Sequence, residues 1–516
     1  MSADRRCYPA PVFFSIIAGR MRVRKTISKN SSIHLWHIRL ALTCISVAPL
    51  LAHADTKAEI HDYTISVDYS LSRLWVEARF ASPIRSIVAR SRDAGKYLVD
   101  VRSCDQDKVI RMRNRRMMLP DSGISCINYT VDLARAARHD RNYRDLDPGN
   151  IIVSPSIWLW RPEITRRSEI RARFRLPHDV LVSVPWKPVH GEKDTYHLSR
   201  SPESSNAQVI FGSFDYDEVK VPGATLRISM VNNGSVVDRQ AILDWLRVTA
   251  TDVSLTYGRF PNPSPQVVVV PIASDRSDGA VPFGRVIRDG GETVQFFINP
   301  ERPIGEFLGD WTATHEFSHL MLPYLDKRHR WVSEGFAQYY QNVLLARSGA
   351  YDERYAWQKL YDGLERGRKS RPELSPNEAA EGGIRTGLMK IYWSGAAIAL
   401  MADVRLRKRS GGSESLDRVL GRLQQCCLPG NRVWSGTEFF ETLDSLIDQP
   451  VFMPLYHRYA DTAGFPDTAE LLAQLGLSVS DGEVSLRRKS ELADIRTAIT
   501  GANPESASHR PQLAAF

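Results

Sequence analysis

Apolar and polar positions alternate in short runs along residues 55–235, as in Tyr63, Ile65, Val67 and Tyr69 and again in Leu74, Val76, Ala78 and Phe80. A period of two puts one set of side chains on a buried sheet face and the other in solvent, so this region predicts an all-β, sandwich-like domain, read as a binding or spacer module. Asp147-Pro148-Gly149-Asn150 and Asn232-Asn233-Gly234 punctuate it, the second ending it near Ser235. From Val236 the pattern changes to a helix through Tyr257 and strands at Val267–Val270, near Arg285–Ile287 and at Val294–Ile298. Two helices follow, Trp311–Leu322, closed by Pro323, and Trp331–Ala346. Residues 351–386, charged and interrupted by Pro372 and Pro376, predict a helical excursion. From Gly411 to about Leu475 helices dominate, with Leu416, Val419, Leu420 and Leu423 on one stripe, and a short strand pair follows around Leu477–Leu486. Asn503–Ala515, rich in Pro, Ser and Ala, predicts disorder. The plan is a multidomain α+β chain: a β domain at 55–235, an α+β domain at 236–410, a helical region at 411–490 and a partly disordered tail at 491–516.

The helix at Trp311 carries His315-Glu316-Phe317-Ser318-His319. Histidines four apart stand on one helix face about 6 Å from each other, so their imidazoles can converge on one ion. Glu316, one position along the turn, can activate a water without being a ligand. Glu334 lies in the first turn of the next helix, and the charged turn Asp326–Arg330 would fold that helix back to face the histidines. His315, His319 and Glu334 thus predict a site for one Zn2+ with Glu316 as general base. Ligating histidines donate their other ring nitrogen to an acceptor, for which Gln338 is a candidate. His329, in the turn, reads as exposed, and Phe336, Tyr339 and Tyr340 read chiefly as core packing.

His315-Glu316-Phe317-Ser318-His319 and Trp331-Val332-Ser333-Glu334-Gly335-Phe336-Ala337-Gln338-Tyr339-Tyr340 resemble the gluzincin peptidases, and among them the glycyl-aminopeptidase-like family. Ile391-Tyr392-Trp393-Ser394-Gly395-Ala396 agrees, being similar to the family's Tyr-x-x-Gly helix. The resemblance covers roughly residues 236–475 and implies a thermolysin-like catalytic domain in which Tyr392 hydrogen-bonds the oxyanion. It departs from the family at the edge strand, where relatives acting as aminopeptidases carry a glutamate that grips the substrate amine. The corresponding stretch here, Val281–Arg288, has no glutamate and offers Gly284 and Arg285 as substrate contacts. A cation there would disfavour an amino terminus and favour a carboxylate. An amine grip by Asp289 or Glu292 stays open, as do exopeptidase and endopeptidase cleavage.

These features together predict a zinc-dependent metallopeptidase acting on a peptide or protein through a zinc-bound water, with Glu316 as base and Tyr392 as oxyanion donor. Two alternatives compete: a non-catalytic peptide-binding protein built on a gluzincin groove, and a zinc amidase acting on a non-protein amide. The intact Glu316 speaks against the former.

Charge changes little. Residues 1–54 carry eight basic residues against one acidic, so most of the formal net charge of +9 lies there and a nucleic-acid role finds no support. That leader has a basic stretch ending at Arg39, an apolar run Leu40–Leu51 and Ala52-His53-Ala54 as a small-x-small site, which predicts export with cleavage after Ala54. Met21 is an alternative start. The apolar run is too short to span a bilayer comfortably and no later segment reaches about 18 apolar residues, so the mature chain carries no transmembrane segment and is periplasmic or secreted. In an oxidising compartment Cys104 and Cys126, flanking a hairpin-like stretch turned at Asp121-Ser122-Gly123, make the natural disulfide. Cys426 and Cys427 could bridge each other, find separate partners or stay reduced.

Overall fold

The alternation from Tyr63 to Phe80 builds a hairpin, Glu59–Val67 against Arg73–Ile84, at the centre of a seven-stranded sheet. Its register sets Tyr63 opposite Ala78 and Ile65 opposite Val76, so the apolar positions of both strands share one face. The computed structural model describes residues 59–501 except 105–109, 111, 114–115, 140–143, 148, 164–167, 200–206, 232–236, 273–278, 289–290 and 431. The leader with its cleavage point, the turn at Asn232–Gly234 and the tail Asn503–Ala515 lie outside those residues.

The apolar face of the large sheet forms one core with a three-stranded sheet, through Ile87 and Met117, and a four-stranded sheet, through Val153, Val209 and Phe211. The sandwich expected for the first region is therefore present, filled by Trp158, Trp160 and Trp186. Cys104 and Cys126 are disulfide-bonded, with Cα atoms 5.4 Å apart, and tie the ends of strands Leu98–Ser103 and Ile124–Asp132. Of the alternatives for Cys426 and Cys427, the structure shows the vicinal bridge.

The reverse face of the four-stranded sheet, with Ile152 and Ile210, packs on Val268, Val270 and Phe297 of a five-stranded sheet. That sheet runs in the order Asp215–Val221, Ala224–Met230, Gln266–Pro271, Thr293–Ile298 and Phe283–Ile287. Its first hairpin, which alternation alone groups with the preceding β region, is joined to it by parallel pairing of Arg227–Met230 with Gln266–Val269. Alternation reveals a strand's faces but not its sheet. Gln266–Pro271 is buried along its whole length because both faces of the sheet are covered. Phe283–Ile287, as expected, is an edge strand.

Helices cover the other face of this sheet. The motif helix is Thr312–His319, the return helix Arg330–Arg347, and a long helix Ile384–Ser410 is kinked at Gly387. Return and long helices cross at two glycines with backbone against backbone. A Cβ on Gly395 would stand 2.0 Å from the Trp331 carbonyl oxygen and 2.8 Å from the Gly335 Cα. The carboxy-terminal helices belong to the same core, where Phe439 and Phe440 pack on Phe336.

His329, expected to be exposed, is buried. Its Nδ1 bonds Asp326 at 2.8 Å and its Nε2 bonds the Tyr456 hydroxyl at 2.9 Å, because helices far along the chain cover the turn. Leu477–Ser480 and Glu483–Leu486 form the expected strand pair. Within the tail expected to be partly disordered, Ala493–Thr500 is a helix, anchored by Trp357 Nε1 donating to Thr500 and Arg347 Nε donating to the Ile499 carbonyl.

Gly395→Ala should cost about 1–3 kcal/mol by forcing the two helices apart. A melting temperature several degrees lower is expected, whereas Gly305→Ala, with nothing within 4 Å of the added carbon, should melt with the wild type.

Candidate metal centre

The motif helix is buried along its whole length, and both of its ends are tied down. At its start Asp310 Oδ1 accepts the Thr312 amide at 2.7 Å. At its end the Arg288 guanidinium donates to the carbonyls of His319 and Leu322, and Gln424 donates to that of Leu320 at 3.0 Å. These bonds satisfy carbonyls that a helix end leaves open, and the cation sits where the helix dipole favours it. One side of the helix is packed, with the Phe317 ring 5.2 Å from Phe260 and 5.5 Å from Phe296. The other side presents His315 and His319.

The helix-turn-helix brings the three expected ligands together. The Nε2 atoms of His315 and His319 each lie 3.4 Å from Glu334 Oε2, and the donor atoms of the set fall within 4.8 Å of one another. The opposite ring nitrogens are held: His315 Nδ1 is 3.2 Å from Gln341 Oε1, and His319 Nδ1 is 3.1 Å from Ser333 Oγ. With Nδ1 donating to these oxygens, each Nε2 lone pair faces the space beside Glu334. Two imidazole nitrogens and one carboxylate, buried and pre-oriented, fit a zinc ion.

Gln338 is not the supporting acceptor; that role belongs to Gln341 and Ser333. The missed signal was in the sequence, since Gln341 stands seven residues, or two turns, after Glu334 on the same face.

Glu316 lies beneath the edge strand. A Cβ on Gly284 would meet Glu316 Cγ at 2.6 Å and Thr312 Cγ2 at 2.9 Å, so only glycine lets the strand pass this close. Tyr392 stacks on His315 with ring centroids 5.6 Å apart and planes at 13°, and its hydroxyl lies on the side of Glu334. Tyr339 and Tyr340 belong to the core, their hydroxyls bonded to Asp403 and Asp417 at 2.8 and 2.9 Å.

Arg285 is placed elsewhere. Gly284 pairs with Phe296 on the face toward the motif helix, so its neighbour projects from the opposite face, where Arg285 Nε donates to Gln295 at 2.8 Å. Glu292 accepts from the Asn262 amide, and Asp289 lies outside the described residues.

The two carboxyls beside the histidines are driven apart. Burial pushes Glu316 up, with His319 and His315 only partly offsetting it. Burial acts on Glu334 as well, but there the two imidazoles prevail and hold it well below the usual carboxylate range. Such a division leaves Glu316 the carboxyl more easily protonated and Glu334 the one held anionic. Burial, then Glu334 and Glu316, push the Tyr392 hydroxyl up, so it remains a donor.

A mixed sheet backed on helices, with two helical histidines and a glutamate from the returning helix, is the arrangement the sequence resemblance to gluzincin metallopeptidases leads one to expect. Comparison with known families agrees: the M61 glycyl aminopeptidase model matches residues 323–386, a span holding Glu334 and the return helix. None of the curated proteins matches the sequence. Among solved structures the fold is similar to an aminopeptidase N family protein from Idiomarina loihiensis, at 14% identity and TM-score 0.51, over 84% of this chain and 77% of that one. It is also similar to an M1 zinc metallopeptidase from Deinococcus radiodurans, at 14% identity and TM-score 0.48, over 80% and 94% of the respective chains. No helix among the described residues is long and apolar enough to cross a membrane.

Replacing Gln341 with leucine, or Ser333 with alanine, should weaken metal binding by about 10- to 100-fold. Competition with a chromophoric chelator measures this directly, and unchanged affinity in both variants would remove the supporting role.

Proposed function

We propose that the protein is an exported zinc-dependent metallopeptidase, with residues 236–410 as its catalytic domain and His315, His319 and Glu334 as the ligands of one ion. The convergence of those three side chains beside a buried, non-ligating Glu316 carries this reading. Zinc, when bound, supplies Lewis acidity that acidifies a water and polarises a carbonyl. The chain's own groups do the rest. An extended peptide lies along the free edge of Phe283–Ile287, where Gly284 brings the backbone close to Glu316. Glu316 takes a proton from the attacking water and later returns it to the leaving amine, a task for which burial has raised its pKa. The Tyr392 hydroxyl turns from Glu334 to the scissile carbonyl oxygen and stabilises the charge that develops there. Arg285, engaged by Gln295 on the other face, takes no part in this mechanism. The amino-terminal sandwich serves as a support or binding module, and the leader directs export with cleavage after Ala54.

Peptide-library digestion by residues 55–516 loaded with zinc, followed by mass spectrometry, should show cleavage that Glu316→Gln abolishes, and the cut positions separate aminopeptidase from endopeptidase action. No cleavage by either form with zinc bound would favour a peptide-binding protein or an amidase of non-protein substrates. Tyr392→Phe should lower kcat by about 100-fold or more with little change in KM, and wild-type turnover would exclude the oxyanion role.

A further inference from the structure

The turn leading into the return helix holds five charged or titratable residues, Asp326 to Arg330, and four of them are engaged. His329 bonds Asp326 and Tyr456. Lys327 Nζ donates to the Glu381 carbonyl at 2.8 Å, and Arg328 pairs with Glu381 and Asp461 at 2.6 Å each. Arg330 differs. It is exposed, and its guanidinium has no hydrogen-bond or ion-pair partner among the described residues.

Its place in the chain works against the fold. Arg330 is the first residue of the return helix, and a positive charge there opposes the helix dipole. No ion pair among the described residues compensates for this, so local stability there does not account for an arginine at this point. Its surroundings suggest a use. Glu334 follows four residues later on the same helix face, and Tyr392, stacked on His315, has both Glu334 and Arg330 in its electrostatic surroundings. Two large apolar side chains occupy the same neighbourhood: Leu388, one turn before Tyr392, and Trp311, whose ring centroid is 5.7 Å from that of His315, are each 42% exposed. Arg330 is thus a cation without a partner among the described residues on the helix that carries Glu334, and the elements that carry His315 and Tyr392 each add an exposed apolar side chain.

We propose that Arg330 is a specificity-determining residue that receives a substrate carboxylate next to the scissile bond. This rests on the peptidase reading. A guanidinium fork matches a carboxylate through two parallel N–H···O bonds, so the preferred substrates carry an acidic side chain, or a free carboxy terminus, within a residue or two of the cleaved bond. Both sources present the same chemistry.

Paired quenched peptides test this, with Glu or Gln at each position flanking the cleaved bond and each made with a free or an amidated carboxy terminus. In the wild type, kcat/KM should favour the carboxylate member of a pair by about tenfold. Whether the preference follows the Glu or the free terminus identifies the source. Arg330→Gln should bring the ratio close to one and Arg330→Glu should invert it, with melting temperatures near that of the wild type. Arg328→Gln, changing an arginine already paired, should keep the preference. Equal cleavage of both members by the wild type, or a preference surviving in Arg330→Gln, overturns the role of Arg330 alone. A wild type that cuts none of the peptides while holding zinc overturns the peptidase reading and this inference with it.

Discussion

Everything at the centre depends on how closely two helices can approach. Gly335 and Gly395 remove the side chains at the crossing of the return and long helices, and the backbones meet there. The residue before Gly335 is Glu334, the third proposed ligand, and Tyr392 stands one turn before Gly395. The approach of the two helices thus also sets how near Tyr392 comes to Glu334. A methyl group at either glycine would separate them and carry Tyr392 away from the stacked face of His315. Burial contributes in turn, because the same packing that excludes water raises Glu316 and lets the histidines dominate Glu334.

A second constraint aligns the sheet with the motif helix. The edge strand touches the helix at Gly284, against Glu316, and the chain just past the strand grips the helix end through Arg288. Two contacts several residues apart fix both the separation and the sliding register of strand and helix. A peptide paired with the strand's free edge would therefore meet Glu316 at a set point along its backbone.

The metal centre was legible because its information is local. Four-residue spacing within one helix and a short turn to the next determine where His315, His319 and Glu334 stand, whatever surrounds them. Parity along a strand was equally available: once Gly284 faces the helix, Arg285 must leave on the other side. Other features depend on segments distant in sequence. His329 is buried by Tyr456, more than a hundred residues away, and no local pattern announces that cover. Likewise the hairpin at Asp215–Met230 alternates as a sandwich strand would, and only its pairing with Gln266–Val269 assigns it to the five-stranded sheet. The glycines were visible as part of a motif, but their reason lies in the crossing of two helices.

The four-stranded sheet has an apolar residue pointing each way at successive positions: Ile151 and Val153 turn into the sandwich while Ile152 turns toward the five-stranded sheet. It is thus a shared wall. Melting the amino-terminal sandwich would strip Val268, Val270 and Phe297 of their cover, and loss of the five-stranded sheet would do the same to Ile152 and Ile210. Neither region can be lost without creating a new water-exposed apolar surface on the other, so their unfolding is thermodynamically linked. The sandwich, which holds none of the residues of the candidate metal centre, is consequently a determinant of how long the region that holds them survives, and its removal would leave a sticky sheet rather than a smaller folded protein.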